Sequence, residues 1–151
     1  MKDKEIEKLI REENKRQESV INLIASENYA SGDVQEALGS VLTNKYAEGY
    51  PGARYYGGNS IVDQIENTTK KRALSLFGLS AKKWSVNVQS YSGSPANLAV
   101  YLALVPIGEG IMGLELNMGG HLTHGHKVSA TGKLWKQIPY GVNKDTGVLD
   151  Y

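Results

Sequence analysis

The 151-residue sequence contains no cysteine. That excludes a disulfide framework and thiolate chemistry, and it fits a reducing compartment. Charge of one sign is also lacking, since 17 Lys and Arg against 16 Asp and Glu leave a formal net charge of +1. The basic residues are scattered along the chain, so nothing points to nucleic acid or an anionic membrane surface as a partner. No apolar run approaches the length of a membrane span. The opening Met1-Lys2-Asp3-Lys4-Glu5 mixes charges and leads into a charged helical pattern, unlike a secretory signal or an acid-poor transit peptide. A cytoplasmic protein with small-molecule or protein partners is the expectation. The composition, 40% hydrophobic and 22% charged, is globular and suits one ordinary domain with a real core.

What the chain does have is a concentration of tyrosine and glycine between Lys45 and Asn59. Tyr46, Tyr50, Tyr55 and Tyr56, four of the nine tyrosines, lie there with Glu48, Arg54 and four glycines. Their apolar positions follow neither a helical nor a strand period, and Tyr50-Pro51-Gly52 reads as a turn, so a loop pinned by aromatic rings is expected. Such a loop suits an active site, because glycine lets the backbone approach a ligand closely. The alternative is a surface or protein-interface loop, where Tyr and Arg are common anchors.

In chain order, Ile6, Leu9 and Ile10 fall at helical spacing between Asp3 and about Glu18. Val20 to Ala25 is a short apolar run that ends at Ser26-Glu27-Asn28-Tyr29, where Ser26 is either a ligand hydroxyl or a turn residue. Asp33 to Leu42 reads as a helix. Ser60 and Asp63 have the spacing of a capping box for a further helix that stops at Gly78. Trp84, Val86 and Val88 alternate with Ser85, Asn87 and Gln89 as in a half-buried strand. Next come Ser90-Tyr91-Ser92-Gly93-Ser94-Pro95 and an apolar helix, with Ser94 as the expected cap and Pro95 as the first helical residue. Strand, Ser/Gly loop and helix start is an arrangement that converges backbone N–H groups on an anion such as phosphate. It is also simply how a well-capped helix begins, and it matches neither the dinucleotide nor the nucleotide glycine pattern.

Ile111 to Leu116 is a second strand candidate. All three histidines follow within Gly119-Gly120-His121-Leu122-Thr123-His124-Gly125-His126. With no cysteine and no carboxylate inside the cluster, a metal site would have to borrow ligands from elsewhere. The flanking glycines suit an imidazole against a flat ligand, and no metal is expected. Leu134 to Tyr140 as a strand and Asp145-Thr146-Gly147 as a turn complete a helix–strand alternation that predicts a mostly parallel sheet flanked by helices.

Five stretches taken together resemble one family, the serine (glycine) hydroxymethyltransferases. They are Leu23-Ile24-Ala25-Ser26-Glu27-Asn28, Leu42 to Gly52, Arg54-Tyr55-Tyr56-Gly57-Gly58, Ser92-Gly93-Ser94-Pro95-Ala96-Asn97, and Gly119 to Gly125. The resemblance implies an α/β fold: the start of the large domain of a pyridoxal-phosphate-dependent transferase of fold type I, aspartate-aminotransferase-like, preceded by a helical arm. Residues 1–59 would be arm and active-site loop, and 60–151 the first part of the cofactor-binding domain. It implies pyridoxal 5'-phosphate as cofactor, serine, glycine and tetrahydrofolate as substrates, and a homodimer or homotetramer in the complete enzyme.

It also implies roles. Ser92, Gly93 and Ser94 match the loop that holds the cofactor phosphate, and His121 the histidine stacked on the pyridine ring. Ser26 matches a hydroxyl near the substrate carboxylate. Tyr46, Glu48 and Tyr56 match residues reaching into a partner's active site, with Tyr46 also on the cofactor and Glu48 as the acid/base group at the substrate. Tyr55, Leu116, Gly120 and Leu122 match folate contacts. By the same resemblance, the cofactor-bearing lysine, the pyridinium-binding aspartate and the carboxylate-binding arginine have no counterpart in residues 1–151, and Lys133 does not substitute. The 151 residues alone are therefore expected to be inactive. The alternative is a short non-catalytic protein that associates with a full-length subunit.

Overall fold

The computed structural model describes residues 1–149. The chain forms two compact units, Met1–Asp63 and Gln64–Tyr151. In the first, helix α1 (Lys4–Ser19) starts where Asp3 accepts hydrogen bonds from the Glu5 and Ile6 amides at 3.0 and 3.1 Å. Glu5 and Glu7 in the first turn and Arg16 in the last complement the helix dipole. A loop carrying the exposed Ile21, Leu23 and Ile24 leads to α2 (Gly32–Leu38), capped by Ser31. The helix expected to run on to Leu42 instead breaks at Gly39 and resumes as a 3₁₀ turn over Val41–Asn44, which Ser40 caps. The tyrosine loop is not free of strand: β1 (Gly49–Tyr50) and β2 (Ala53–Arg54) pair antiparallel around the Pro51-Gly52 turn. A Cβ on Gly49, where φ is +97°, would press on the Ala53 carbonyl, so glycine is required there.

Helix α3 (Ser60–Leu76) begins one residue after Asn59, whose carbonyl accepts from the Asp63 amide at 2.8 Å. The Asp63 carboxylate does not turn back to close a capping box, because Arg54 and the Gly52 amide hold it instead. The other end is as expected. Gly78 adopts φ +64°, Leu79 donates to the Leu74 carbonyl and Gly78 to that of Ser75, the paired bonds of a Schellman stop.

In the second unit, α4 (Gly93–Leu104) starts with Ser92 at the cap, two residues earlier than expected, which places Ser94 and Pro95 inside the first turn. Trp84 to Gln89, expected as a strand, is not part of a strand among the described residues, and Trp84 is 55% exposed. Strand β3 (Gly110–Leu114) leads through a 3₁₀ turn (Leu116–Met118) and the histidine turn to a short helix, α5 (Ala130–Leu134), and then to β4 (Lys136–Tyr140). Leu134 thus ends a helix that Ser129 caps, rather than opening a strand. Strands β3 and β4 run parallel, from Gly110 against Lys136 to Leu114 against Tyr140. Past β4, Asn143 accepts from the Asp145 and Thr146 amides, forming the expected turn.

The expected core is small. Among the described residues Ile111 (7% exposed) and Trp135 (3%) are the buried hydrophobics. Trp135 donates its indole N–H to the Val105 carbonyl at 3.1 Å and meets Tyr101 edge-on at 5.8 Å, tying the end of α4 to the start of β4. The chain exposes 12484 Å², where a folded monomer of its mass exposes about 7500 Å². Apolar side chains such as Ile6, Leu9 and Ile10 of α1 are about half exposed, and for that reason the globular composition does not produce a large interior among the described residues.

Candidate active site

In the first unit the tyrosine loop is organised by Arg54. Its side chain, 5% exposed, donates to Asp63 at 2.8 Å and to the carbonyls of Ala47 and Gly49 at 2.7 and 2.8 Å. The carbonyls bracket Glu48. One guanidinium therefore fixes the backbone on both sides of that residue and fastens it to α3, while Glu48 itself stays exposed. The Arg54 guanidinium, and after it the Gly52 amide, hold the Asp63 carboxyl below the ordinary carboxylate range. Tyr46 and Tyr56 meet edge-on, with ring centroids 5.3 Å apart and planes at 83°, and line a hollow of about 360 Å³. Tyr55 is exposed, and Ser26 stands on an exposed turn where the Glu27 amide donates to Ile24.

In the second unit α4 points its first turn at a cavity of about 670 Å³ lined by Ser92, Ser94, Leu98, Leu122 and Thr123, among others. No carboxylate lies in that turn, and the Ser92 hydroxyl makes no cap bond. The first intrahelical bond is donated by Ala96 to the Ser92 carbonyl, so the Gly93 and Ser94 amides have no acceptor within the helix. Opposite, the histidine turn packs on β3 through Gly113, where an added Cβ would stand 2.7 Å from that of His124. A Cβ on Gly120 would land on the Leu114 carbonyl. His121 Nδ1 is 2.8 Å from Thr123 Oγ1, and the His121 and His124 rings meet edge-on at 5.9 Å. Among the described residues no group of three His, Cys, Asp or Glu is placed to hold a metal.

A family model described as serine hydroxymethyltransferase matches residues 1–151. The chain belongs to the serine hydroxymethyltransferase family. It is 54% identical to the cytosolic serine hydroxymethyltransferase of Oryctolagus cuniculus over 99% of this chain and 32% of that protein. With the serine hydroxymethyltransferase of Acidothermus cellulolyticus the identity is 56%, over 99% of this chain and 34% of the relative. The mitochondrial serine hydroxymethyltransferase of Schizosaccharomyces pombe is 50% identical, over 99% and 32%. The chain thus spans about a third of the length of the curated relatives it matches. Relatives named for the cytosol and for the mitochondrion both match, and among the described residues no helix is long and apolar enough to cross a membrane.

Within the family frame, the structure brings some of the expected residues together and leaves others apart. Ser92, Ser94 and Leu122 share one cavity. Leu116 lines a second hollow of about 400 Å³ with Glu115, Asn117, His126, Gln137 and Pro139. Gly120 is half-buried, its amide donating to the Glu115 carbonyl at 2.9 Å. Residue patterns alone miss Asp63 as the anchor of the tyrosine loop, and they miss Thr123, which joins His121 to Asn97 on α4. Both links span positions with no local period. The available signal was chemical: a guanidinium in a glycine loop needs an acid, and a buried threonine beside a histidine needs a partner.

Proposed function

We propose that the protein carrying these residues is a glycine hydroxymethyltransferase, converting serine and tetrahydrofolate to glycine and 5,10-methylenetetrahydrofolate. The observation that carries the reading is the first turn of α4, where Ser92 and Ser94 line a cavity with apolar Leu98 and Leu122 and the Gly93 and Ser94 amides have no acceptor within the helix. That donor set suits a phosphate monoester on a flat aromatic ring. The residues therefore fit pyridoxal 5'-phosphate, with Ser92, Gly93 and Ser94 on the phosphate and His121 against the ring. When bound, the cofactor supplies an electron sink for bond changes at the amino-acid α-carbon.

The remaining roles belong to the chain. Ser26 offers a hydroxyl to the substrate carboxylate. Glu48, on backbone held by Arg54, moves the proton of the hydroxymethyl oxygen, and Tyr46 and Tyr56 wall the same site from the neighbouring subunit of a homodimer or homotetramer. Tyr55, Leu116, Gly120 and Leu122 contact the folate. Residues 1–59 serve as arm and active-site loop, and 60–151 as the start of a fold-type-I large domain, in a cytoplasmic enzyme of one-carbon metabolism.

The test is cofactor binding and serine-dependent methylenetetrahydrofolate formation by the full-length protein. Ser92→Ala and Ser94→Ala should each weaken cofactor binding about ten- to a hundredfold, the worth of one hydrogen bond to a charged group. Full affinity in the double variant refutes the phosphate assignment. A polypeptide of residues 1–151 alone should form no methylenetetrahydrofolate.

A further inference from the structure

One buried hydroxyl connects the histidine turn to the helix that begins at the Ser92–Ser94 loop. Thr123, 7% exposed, has its Oγ1 2.8 Å from Asn97 Nδ2 and 2.8 Å from His121 Nδ1. Donor counting sets the direction of this chain. The Asn97 amide nitrogen only donates, so it gives a hydrogen to Thr123 Oγ1, and the single hydroxyl hydrogen is left for His121 Nδ1. The backbone amide of Thr123 also points at Nδ1, at 3.2 Å. Two donors converge on one ring nitrogen. A hydrogen there would face both of them, so in the neutral ring the proton sits on Nε2, and a ring flip would offer carbon where the donors need an acceptor.

The neighbouring histidines show what is particular to His121. His124 Nδ1 accepts from the His121 amide at 3.2 Å, and His126 Nδ1 from the Val128 amide at 3.4 Å. In those two the acceptor role comes from the turn's own backbone. His121 has the additional link, through Thr123, to Asn97 on α4, 26 positions before Thr123.

We infer that Asn97 and Thr123 are positioning residues that hold His121 in the Nε2–H tautomer with a fixed ring plane. The Asn97–Thr123 pair thereby couples the ring's orientation to the helix whose first turn faces the cavity. The purpose of this coupling rests on the function proposed above, in which His121 lies on the cofactor ring and α4 holds its phosphate. The tautomer itself does not depend on that reading.

The experiment is long-range ¹H–¹⁵N spectroscopy of ¹⁵N-histidine-labelled full-length protein, with and without pyridoxal phosphate, alongside the absorbance of the bound cofactor. His121 should show an unprotonated Nδ1 and a protonated Nε2. Thr123→Val should lower the ratio of Nε2–H to Nδ1–H about fivefold, one net hydrogen bond's worth, and Thr123→Ser should restore it. Asn97→Asp reverses the chain, since a carboxylate accepts the threonine hydrogen and leaves Oγ1 to accept from the ring, so the Nδ1–H form should rise about as much. A wild-type ring protonated on Nδ1, or ratios unchanged within about twofold in both Thr123→Val and Asn97→Asp, overturns the inference. Failure of cofactor binding with the tautomer series intact refutes the functional reading alone. Normal cofactor binding with unmoved tautomers refutes this inference alone.

Discussion

Replacing Trp135 should be the most damaging single change to the second unit, and the two tryptophans allow an internal comparison. A tryptophan buries about 200 Å², which at about 25 cal/mol per Å² is about 5 kcal/mol as an upper value. Trp135 is 3% exposed and Trp84 is 55% exposed, so Trp135 has nearly the whole of that burial and Trp84 less than half of it. Trp135→Ala should therefore cost about 4 kcal/mol, within the range for aromatic truncation in a core. Trp135→Phe keeps most of the ring against Tyr101 but leaves the Val105 carbonyl without its indole donor, for a loss of about 2 kcal/mol. Urea unfolding followed by far-UV circular dichroism reads both. With a slope of about 2 kcal/mol per M, the midpoint should fall by about 1 M for Trp135→Phe and about 2 M for Trp135→Ala. A loss of about 4 kcal/mol is comparable to the whole stability of a small unit, so the phenylalanine variant gives the cleaner reading. Trp84→Ala, which gives up less than half as much burial, should cost no more than about 2 kcal/mol. Equal effects at the two positions, or a shift below about 0.3 M for Trp135→Phe, would refute the assignment of the core to the α4–β4 junction.

Gly120→Ala should destabilise the second unit by about 1–3 kcal/mol, because its Cβ meets the Leu114 carbonyl, whereas Gly57→Ala, with open space around it, should be near neutral. A urea midpoint for Gly120→Ala equal to that of Gly57→Ala would contradict the packing described. Asp63, held below its ordinary value by Arg54, stabilises the tyrosine loop fully above its unfolded value near 3.8 and loses that contribution as pH falls through its lower folded value. The Gly52 amide proton, bonded to Asp63 Oδ2 at 2.9 Å, should report that acid transition by NMR, and Asp63→Asn should abolish it. Arg54→Lys, which supplies no planar fork to serve a carboxylate and two carbonyls together, should lower serine turnover in the full-length protein while sparing cofactor binding. Unchanged turnover would remove Arg54 from the support of Glu48.

What could be read from the sequence was local chemistry. Asp3 ahead of a charged helix, Gly78 at the end of α3 and Asp145-Thr146-Gly147 as a turn all depend on residues within one or two turns of each other. The errors share a different physics. Trp84 to Gln89 alternates as a strand does, but among the described residues it is not part of a strand, and its Gln89 side chain instead donates to the Glu66 carboxylate. Pro95 was compatible with two registers, since none of the first four amides of a helix has an intrahelical acceptor. Asp63 had a local use as a capping group, and a guanidinium nine residues earlier outcompeted it. In the candidate site, the serines and histidines were conspicuous by type, while the Asn97–Thr123 link was invisible because nothing in the intervening residues marks a contact.

Gly113 carries a consequence for how the second unit finds its strand pairing. Parallel partners in β3 and β4 are offset by a constant 26 positions, from Gly110 with Lys136 to Leu114 with Tyr140, and the histidine turn lies on the crossover between them. Parallel ladders slip most easily where side chains do not discriminate between registers. At Gly113 the His124 Cβ and carbonyl lie so close to β3 that an added Cβ would stand 2.7 Å from that of His124, and a slip along β3 by two residues would bring Ile111 or Glu115 to that place. The contact fastens the crossover to one point of β3, so a side chain at position 113 should displace the histidine turn from the strand, and the site's geometry is tied to the register of the β3–β4 pair.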